Sequence, residues 1–199
     1  MQERVRSFVA LELSDEARDS IARTLQELQR AAPQEVRWVD PKGTHLTIKF
    51  LGTVAYDTLG AIEGALQVAT GVVAPFELGL GAPGTFPNVR APRVLWVGIT
   101  GNLDALHQLQ SCVEDALAAV GIAREARPFR PHLTLGRVRE TASEPALRRL
   151  SEALGQAVVT RVVWPVSEIA LMRSTLTPQG AIYHRLARIR LRPDLSAPS

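Results

Sequence analysis

Apolar and polar positions along the chain follow two periods, which predict strands and helices in turn. Short runs that are dense in aliphatic and aromatic residues predict strands, and apolar residues three or four positions apart predict helices. The predicted strands are residues 6–13, 36–40, 44–52, 75–88 (where a loop follows the strand), 93–100, 129–138, 158–176 and 181–192. The predicted helices are residues 14–32, 56–71, 102–121 and 142–156.

The first helix shows the pattern clearly. Ile21, Leu25 and Leu28 lie at helical spacing, and Ser14 stands before an acidic first turn, as expected of a helix N-cap. Strands and helices interleave along the chain, but without the regular spacing of a doubly wound parallel sheet. We therefore predict an α+β fold, with helices packed on one face of mixed or antiparallel sheets.

The chain is predicted to fold as one unit. No low-complexity linker divides it, so we expect a single domain over residues 1–192, followed by a disordered tail at residues 193–199. Two similar segments, one in each half, suggest an internal duplication.

Those two segments each contain a His-Leu-Thr-aliphatic sequence. The first is HLTIKF, beginning at His45, and the second is HLTLGR, beginning at His132. Because alternate side chains of a strand point to opposite faces, Thr47 and Lys49 should share the face of His45. Thr134 should likewise share the face of His132, and each strand would bury its aliphatic face. Two adjacent strands of this kind would bring two imidazoles and two hydroxyls together.

Paired histidines suit the hydrolysis of a cyclic phosphodiester. One neutral imidazole can deprotonate water while a protonated one donates a proton to the leaving oxygen, because the histidine pKa lies near neutrality. Threonine hydroxyls can hold the phosphate oxygens, and Lys49 can offset the phosphate charge. This chemistry requires no metal and no cofactor.

A single His-x-Thr strand is common by chance, but two copies of the same parity are not. The other histidines lack this setting: His107 lies in a predicted helix and is expected to be structural or solvent-facing. His184 lies in a strand with no special role.

Composition limits the classes of protein to which the chain can belong. With 46% hydrophobic and 22% charged residues, it has the composition of a globular protein. Its one cysteine, Cys112, excludes an intrachain disulfide and zinc sites built on cysteine pairs. There is no apolar run of membrane-spanning length and no secretory signal pattern, so we expect a cytoplasmic protein.

The net charge of +3 comes from many arginines and few lysines. Guanidinium groups suit phosphate recognition, although a GC-rich genome also favours arginine codons. The charge therefore permits an anionic substrate without arguing strongly for one.

The two motifs resemble those of the 2H phosphoesterase superfamily, and more closely its bacterial and archaeal RNA 2′,3′-cyclic phosphodiesterases, also called 2′-5′ RNA ligases. The resemblance covers nearly the whole chain. It rests on the segments RSFVALEL, RWVDPKGTHLTIKFLG, GTFPNVRAPRVLWVG, FRPHLTLGRV and LMRSTLTPQGAIYHRLARIRL.

This resemblance implies a bilobal α+β fold with pseudo-twofold symmetry, in which two sheets face a central groove and the helices pack outside. It implies hydrolysis of a terminal RNA 2′,3′-cyclic phosphate to a 2′-phosphomonoester, with 2′-5′ ligation as the reverse step. His45 would donate a proton to the leaving oxygen and His132 would accept one from water. Thr47 and Thr134 would bind the phosphate.

Other substrate contacts are left open by the sequence. By strict alternation Arg137 points away from His132, where it would form an ion pair, but a bulge at Gly136 would turn it toward the substrate. Arg130 shares the parity of His132 unless Pro131 breaks the alternation. Tyr183 falls in the closing segment, where it can line the groove together with Arg173.

Further side chains have two interpretations each. Three aromatic residues either stack an RNA base or belong to the core: Trp38, Phe86 and Trp96. Three alternating arginines form either a solvated sheet face or a path for an RNA backbone: Arg188, Arg190 and Arg192.

Alternative functions are a phosphodiesterase that acts on small cyclic nucleotides or on ADP-ribose cyclic phosphate, and an RNA-binding module without catalysis. Two histidines with two threonines make a poor metal-ligand set, so we expect no metal. The expected partner is an RNA with a cyclic phosphate end or a small cyclic-phosphate nucleotide. We expect no membrane partner and a monomeric protein.

Overall fold

A computed structural model of the chain describes residues 3–177 and 180–192, and the predicted tail at 193–199 lies outside them. The described strands are β1 (Arg4–Glu12), β2 (Val36–Trp38), β3 (His45–Ala55), β4 (Phe76–Phe86), β5 (Val94–Gly101), β6 (His132–Val138), β7 (Val163–Val166), β8 (Glu168–Thr177) and β9 (Gly180–Arg190). The described α-helices are α1 (Asp15–Ala31), α2 (Leu59–Thr70), α3 (Leu103–Ala119) and α4 (Glu144–Gln156).

Two of the described α-helices begin at a side-chain cap, and a third begins with a proline. The Ser14 hydroxyl accepts a hydrogen bond from the Ala17 amide at the start of α1, and the Asn102 side chain accepts one from the Ala105 amide at the start of α3. α4 begins at Glu144 with a proline in its first turn, where a missing amide costs nothing. Local chemistry thus explains why the helices lie within the predicted segments.

The strands form two antiparallel sheets. The first sheet has the order β3-β1-β8-β9, and the second has the order β2-β6-β5-β4-β7. Every described pair is antiparallel. The predicted α+β class is therefore confirmed, with antiparallel rather than mixed sheets.

Both sheets contribute to one continuous core. Leu46 of β3 and Leu133 of β6 are buried in the same apolar cluster as Ile21 of α1 and Leu109 of α3. Burying these aliphatic faces is the main favourable term in folding. It leaves the opposite face of each histidine strand for polar side chains.

The same unit occurs in each half of the fold. A strand leads into a 17-residue helix and then pairs antiparallel with a histidine strand: β1, α1 and β3 in one half, and β5, α3 and β6 in the other. The halves also exchange strands. β2 precedes β3 in the chain but pairs with β6 of the second sheet, whereas β8 and β9 complete the first sheet.

Three predicted boundaries are wrong. The strand predicted over 129–138 begins at His132, and the segment predicted as strand over 158–176 divides into β7 and β8, with no strand before Val163. The sequence predicts a loop in the second part of 75–88, but β4 continues to Phe86. Its pairing with β5 shifts register between Leu80 and Pro83 and then resumes. Gly84 follows that bulge and packs against the indole of Trp96, leaving no room for a Cβ. Pro83 and Gly84 are typical loop residues, but here the proline lies at the bulge and the glycine permits the close contact with Trp96.

Gly136 lies where β6 packs closely against β2, the edge strand of the second sheet. A Cβ at this position would lie 2.6 Å from Cγ1 of Val36 and 3.1 Å from Cε3 of Trp38. Because Val36 is β-branched and buried, it has little freedom to move away. Glycine at 136 therefore permits β2 to pair with β6.

We predict that Gly136→Ala destabilises the protein by about 1–3 kcal/mol, because the added methyl group overpacks the β2–β6 contact. Urea unfolding measures the change. The matched control is Gly64→Ala in the middle of α2, where a Cβ meets nothing within 4 Å. Alanine there should stabilise by about 0.5–1 kcal/mol. Equal stability of the two variants would contradict this account of Gly136.

Candidate active site

Both histidine strands carry a one-residue bulge at the same place in the motif. In β3, Thr47 pairs with Ala10 and Lys49 pairs with Val9, so Ile48 is the extra residue. In β6, Leu135 is the extra residue, because Thr134 pairs with Trp96 and Gly136 with Leu95. A bulge restarts the alternation, so the residues after it change faces.

The bulge in β3 corrects the prediction for Lys49. Its side chain does not share the face of His45: the residue is only 3% exposed and lies on the buried side of the strand. Its ammonium group donates to the Glu114 carboxylate at 2.7 Å and to the Ala123 carbonyl at 2.8 Å. Phe50, 58% exposed, takes the expected place of Lys49 on the His45 face.

The bulge in β6 lies at Leu135, one residue before the Gly136 that the sequence predicts, and it turns Arg137 toward the face of His132. Arg137 is exposed and pairs with Val94, two residues from Trp96, the partner of Thr134. It therefore lies on the same face as Thr134 and His132. Its guanidinium is also close enough to Tyr183 to act on the pKa of that phenol.

His45 is held between a backbone carbonyl and two aromatic rings. Its Nδ1 lies 2.8 Å from the Gly43 carbonyl oxygen. Its ring stacks on Phe8 at a centroid distance of 4.6 Å, and Tyr183 meets it edge-on at 4.9 Å. This packing restrains the imidazole and removes most of its solvent.

Burial lowers the pKa of His45 below its ordinary value of 6.5, because the charged form loses hydration. The hydrogen bond to Gly43 and the negative charge of Glu12 act in the opposite direction, but more weakly. Glu12 is the cross-strand neighbour of His45 in the β1–β3 pair. The Glu12 carboxylate thus partly offsets the effect of desolvation on the pKa of His45.

His132 has the same kind of backbone partner but a more open setting. Its Nδ1 lies 2.7 Å from the Arg130 carbonyl oxygen, again two residues earlier in the chain. Phe86 meets its ring edge-on at 5.2 Å, and the residue remains partly exposed. Arg130 itself precedes the strand, so it contributes its carbonyl while its side chain is exposed.

The two carbonyls fix the tautomer of each neutral imidazole. A carbonyl oxygen can only accept a hydrogen bond, so Nδ1 must carry the proton in both rings. Nε2 then holds the lone pair of the neutral ring, or the second proton of the charged ring. Each histidine therefore presents Nε2 as its group for proton transfer.

The two threonines lie beside these imidazoles. Thr47 lies two residues after His45 on the same face of β3. Thr134 lies two residues after His132 on the same face of β6. Both are partly exposed, and neither hydroxyl bonds to another described residue. Both hydroxyls can thus donate to an anion without breaking an existing contact.

The fold brings the two histidine strands next to each other, although they belong to different sheets. Backbone atoms of β3 and β6 approach within 8 Å. Tyr183 connects the two strands further, since it contacts His45 on one side and responds to the charge of Arg137 on the other. Burial raises the pKa of Tyr183, and Arg137 partly offsets that effect.

A cavity of about 520 Å³ is lined by Glu12, the cross-strand neighbour of His45, and by Arg185 and Arg188, but His45 itself does not line it. Glu12 accepts from Arg185 at 2.6 Å, and Arg188 lies 3.2 Å from Glu168 and 3.9 Å from Glu12. Exposed ion pairs of this kind add little stability. They do hold the Glu12 carboxylate beside His45.

The remaining candidates lie elsewhere or have other partners. The Trp38 indole donates to the Ala32 carbonyl, and the ring of Trp96 lies against Phe86. The ring of His107 on α3 contacts Phe129, and His184 is exposed on β9. Arg173 lies 3.9 Å from the Glu3 carboxylate.

Sequence reasoning missed Phe8, Phe50 and the Lys49–Glu114 pair. Alignment of the two motifs makes Phe50 the equivalent of Arg137, since each follows its histidine by the same number of residues. No sequence signal identifies Phe8 as the neighbour of His45, because that contact depends on the pairing of β1 with β3.

In the ranges 3–177 and 180–192, no three His, Cys, Asp or Glu side chains come together as metal ligands. The helices of those ranges also include none long and apolar enough to cross a bilayer.

Comparison with known proteins gives one consistent family. The model of the 2′-5′ RNA ligase superfamily matches residues 8–177. The RNA 2′,3′-cyclic phosphodiesterase of Methanothermobacter thermautotrophicus is 35% identical over 94% of this chain and 100% of its own length. That of Archaeoglobus fulgidus is 34% identical over 92% of this chain and 98% of its own length.

Solved structures agree with the sequence relatives. The protein TT0787 of Thermus thermophilus superposes with a TM-score of 0.73 at 29% identity, covering 95% of this chain and 99% of its own. E. coli LigT complexed with 3′-AMP superposes with a TM-score of 0.72 at 28% identity, with the same coverage.

We predict that neutral His45 and His132 both adopt the Nδ1–H tautomer, because each Nδ1 donates to a carbonyl. Long-range ¹H–¹⁵N NMR spectra, recorded at a pH where the imidazoles are neutral, distinguish the tautomers. Exposed His184 serves as the internal reference. A predominant Nε2–H form at either motif histidine would contradict the observed hydrogen bonds.

Proposed function

The chain belongs to the 2′-5′ RNA ligase superfamily, and on that premise we propose that it hydrolyses the 2′,3′-cyclic phosphate at the end of an RNA. The product is a 2′-phosphomonoester with a free 3′-hydroxyl. One observation carries the proposal: two histidines on adjacent strands are oriented by backbone carbonyls, and each has beside it a threonine whose hydroxyl bonds to none of the residues that the structure describes.

The proposed reaction uses the two Nε2 atoms. Neutral His132 removes a proton from water, whose oxygen bonds to phosphorus opposite the 3′ oxygen. The bond between phosphorus and the 3′ oxygen breaks, and protonated His45 gives its Nε2 proton to that oxygen. His132 takes up one proton and His45 releases one, so the two histidines exchange protonation states. Proton exchange with solvent then restores the starting states.

The neighbouring side chains support this chemistry by their position. Thr47 and Thr134 donate hydroxyl hydrogen bonds to the non-bridging oxygens, whose charge grows as water attacks. Arg137 lies on the His132 face and supplies a guanidinium for the same oxygens. Tyr183 packs against His45 and orients it. Lys49 has no part in substrate binding, since its ammonium group is buried against Glu114.

The lowered pKa of His45 has a consequence for the assignment of roles. A proton donor must be charged, and burial favours the neutral form in the free protein. A bound cyclic phosphate is an anion, so it favours the charged imidazole and opposes the effect of burial. Substrate binding and protonation of His45 should therefore assist each other.

The same site suits ligation, in which another nucleophile replaces water. A 5′-hydroxyl that replaced water would form a 2′-5′ phosphodiester, with His132 as base and His45 as acid. A small cyclic nucleotide would use the same groups, and it is the second candidate substrate.

We predict that replacing His45 or His132 by alanine lowers the turnover of an oligonucleotide with a 2′,3′-cyclic phosphate by about 10²–10⁴-fold. RNA binding should largely survive, because the threonines and Arg137 remain. Chromatographic product analysis should show the 2′-monoester from the wild-type protein. His107→Ala is the matched control and should retain full turnover.

Unchanged turnover in either variant would overturn the proposed roles. A 3′-monoester product would mean that the 2′ oxygen leaves instead. Loss of turnover in EDTA would favour a metal-dependent mechanism, and the absence of turnover with intact RNA binding would favour a binding module.

We predict that Glu12→Gln moves one limb of the pH profile of kcat/KM to more acid pH. Glu12 raises the pKa of His45, so losing its charge lowers that pKa further. A proton donor is active below its pKa, so activity should decline with rising pH at lower pH than in the wild type. The control is Glu168→Gln, which also pairs with Arg188 but should leave the profile in place.

This experiment also identifies the role of His45. Movement of the alkaline limb supports His45 as the acid, whereas movement of the acid limb would make it the base. An unmoved profile would contradict the electrostatic link between Glu12 and His45.

A further inference from the structure

Lys49 and Glu114 are the only charged residues buried among those that the structure describes. Their ion pair connects β3, which carries His45, to α3 of the other half. Burying an ion pair costs so much hydration that it is often no more stable than an apolar pair of similar size. Core stability alone is therefore a weak reason for this pair, and its hydrogen bonds indicate a second role.

The pair is the centre of a network that reaches the segment before β6. We call residues 122–131 the approach segment, because they lead from the end of α3 to His132. Lys49 donates to the Ala123 carbonyl at 2.8 Å, and the Glu125 amide donates to the Glu114 carboxylate at 3.3 Å. Gln110 supplies a further hydrogen bond to Glu114 from α3, at 3.4 Å.

The approach segment has no helix or strand of its own, so its position depends on such contacts. Its other ion pair to the body of the protein, between Arg124 and Asp115, is exposed. The pair of Glu125 with Arg127 lies within the segment and lowers the pKa of Glu125 to about 2. Ile122 and Phe129 also pack against the core, but among the described hydrogen bonds and ion pairs only that of Lys49 ties the segment to the strand of His45.

The far end of the approach segment orients His132. The carbonyl that receives the Nδ1 hydrogen bond belongs to Arg130, the penultimate residue of the segment. A displacement of the segment would move this carbonyl, and with it the imidazole. The equivalent carbonyl for His45 lies in the turn at Pro41–Gly43, to which the Lys49 ammonium group does not bond.

We propose that Lys49 is a positioning residue that sets His132 relative to His45 through Glu114 and the approach segment. This inference rests on the proposed function, since it concerns the alignment of the same two histidines. Lys49 touches neither histidine. It fixes their separation because its backbone belongs to one histidine strand while its ammonium group holds the segment that orients the other histidine.

The deciding variant is the double replacement Lys49→Met with Glu114→Leu. Apolar side chains of similar size should restore the packing of the buried site, so the Tm should return to the wild-type value or exceed it. The links to Ala123 and Glu125 are lost in this variant. We therefore expect kcat on a 2′,3′-cyclic mononucleotide to fall by at least about tenfold, since small misplacements of catalytic groups have effects of that order. KM should change little.

NMR supplies a readout that does not require turnover. In the double variant, the Nδ1–H tautomer of His132 should lose its dominance, while His45 keeps its own tautomer. Arg124→Ala is the matched control, because it breaks the exposed ion pair of the same segment. It should leave both the kcat and the His132 tautomer unchanged.

A double variant with wild-type kcat and an unchanged His132 tautomer would overturn the inference and make the pair purely structural. If the double variant does not fold, Lys49→Met with Glu114→Gln provides the same two readouts, because it removes the hydrogen bond to Ala123 and leaves no unpaired buried charge. A wild-type protein without turnover would defeat the proposed function instead, and the His132 tautomer in the variants would still decide the role of Lys49.

Discussion

Each histidine strand must bury aliphatic side chains in the common core while presenting an imidazole on its other face. Side chains alternate strictly between the two faces only from each histidine to its threonine. The one-residue bulge after each threonine then resets this alternation. The reset turns Lys49 and Gly136 inward and Phe50 and Arg137 outward. Both halves obey the same geometry, so their chemical difference comes from which side chains occupy these equivalent positions.

The two imidazoles are alike in orientation and unlike in surroundings. Each is fixed through Nδ1 by the carbonyl two residues earlier, so the tautomer does not distinguish acid from base. Packing does distinguish them: His45 lies between Phe8 and Tyr183, whereas His132 is more open. This difference in solvation lowers the pKa of His45 in the free protein, so its proposed role as proton donor depends on the anionic substrate to favour the charged imidazole.

The helices and the fold class could be predicted because caps and periodicity are local signals. Ser14 caps α1 as expected, and the described α-helices lie within the predicted segments. The position of Lys49 could not be predicted, because counting alternate residues fails once a strand contains a bulge. The contacts of His45 with Phe8 and Tyr183 depend on pairing between strands far apart in sequence, which no local pattern encodes.

The strand exchange between the two halves has an evolutionary consequence. β2 of the first half completes the second sheet, and β8 and β9 of the second half complete the first. The arrangement resembles a domain-swapped dimer whose subunits have been fused into one polypeptide. Neither half contains all the strands of either sheet, so recombination that shuffled a single half into another gene would transfer an incomplete fold. The two halves must be inherited together.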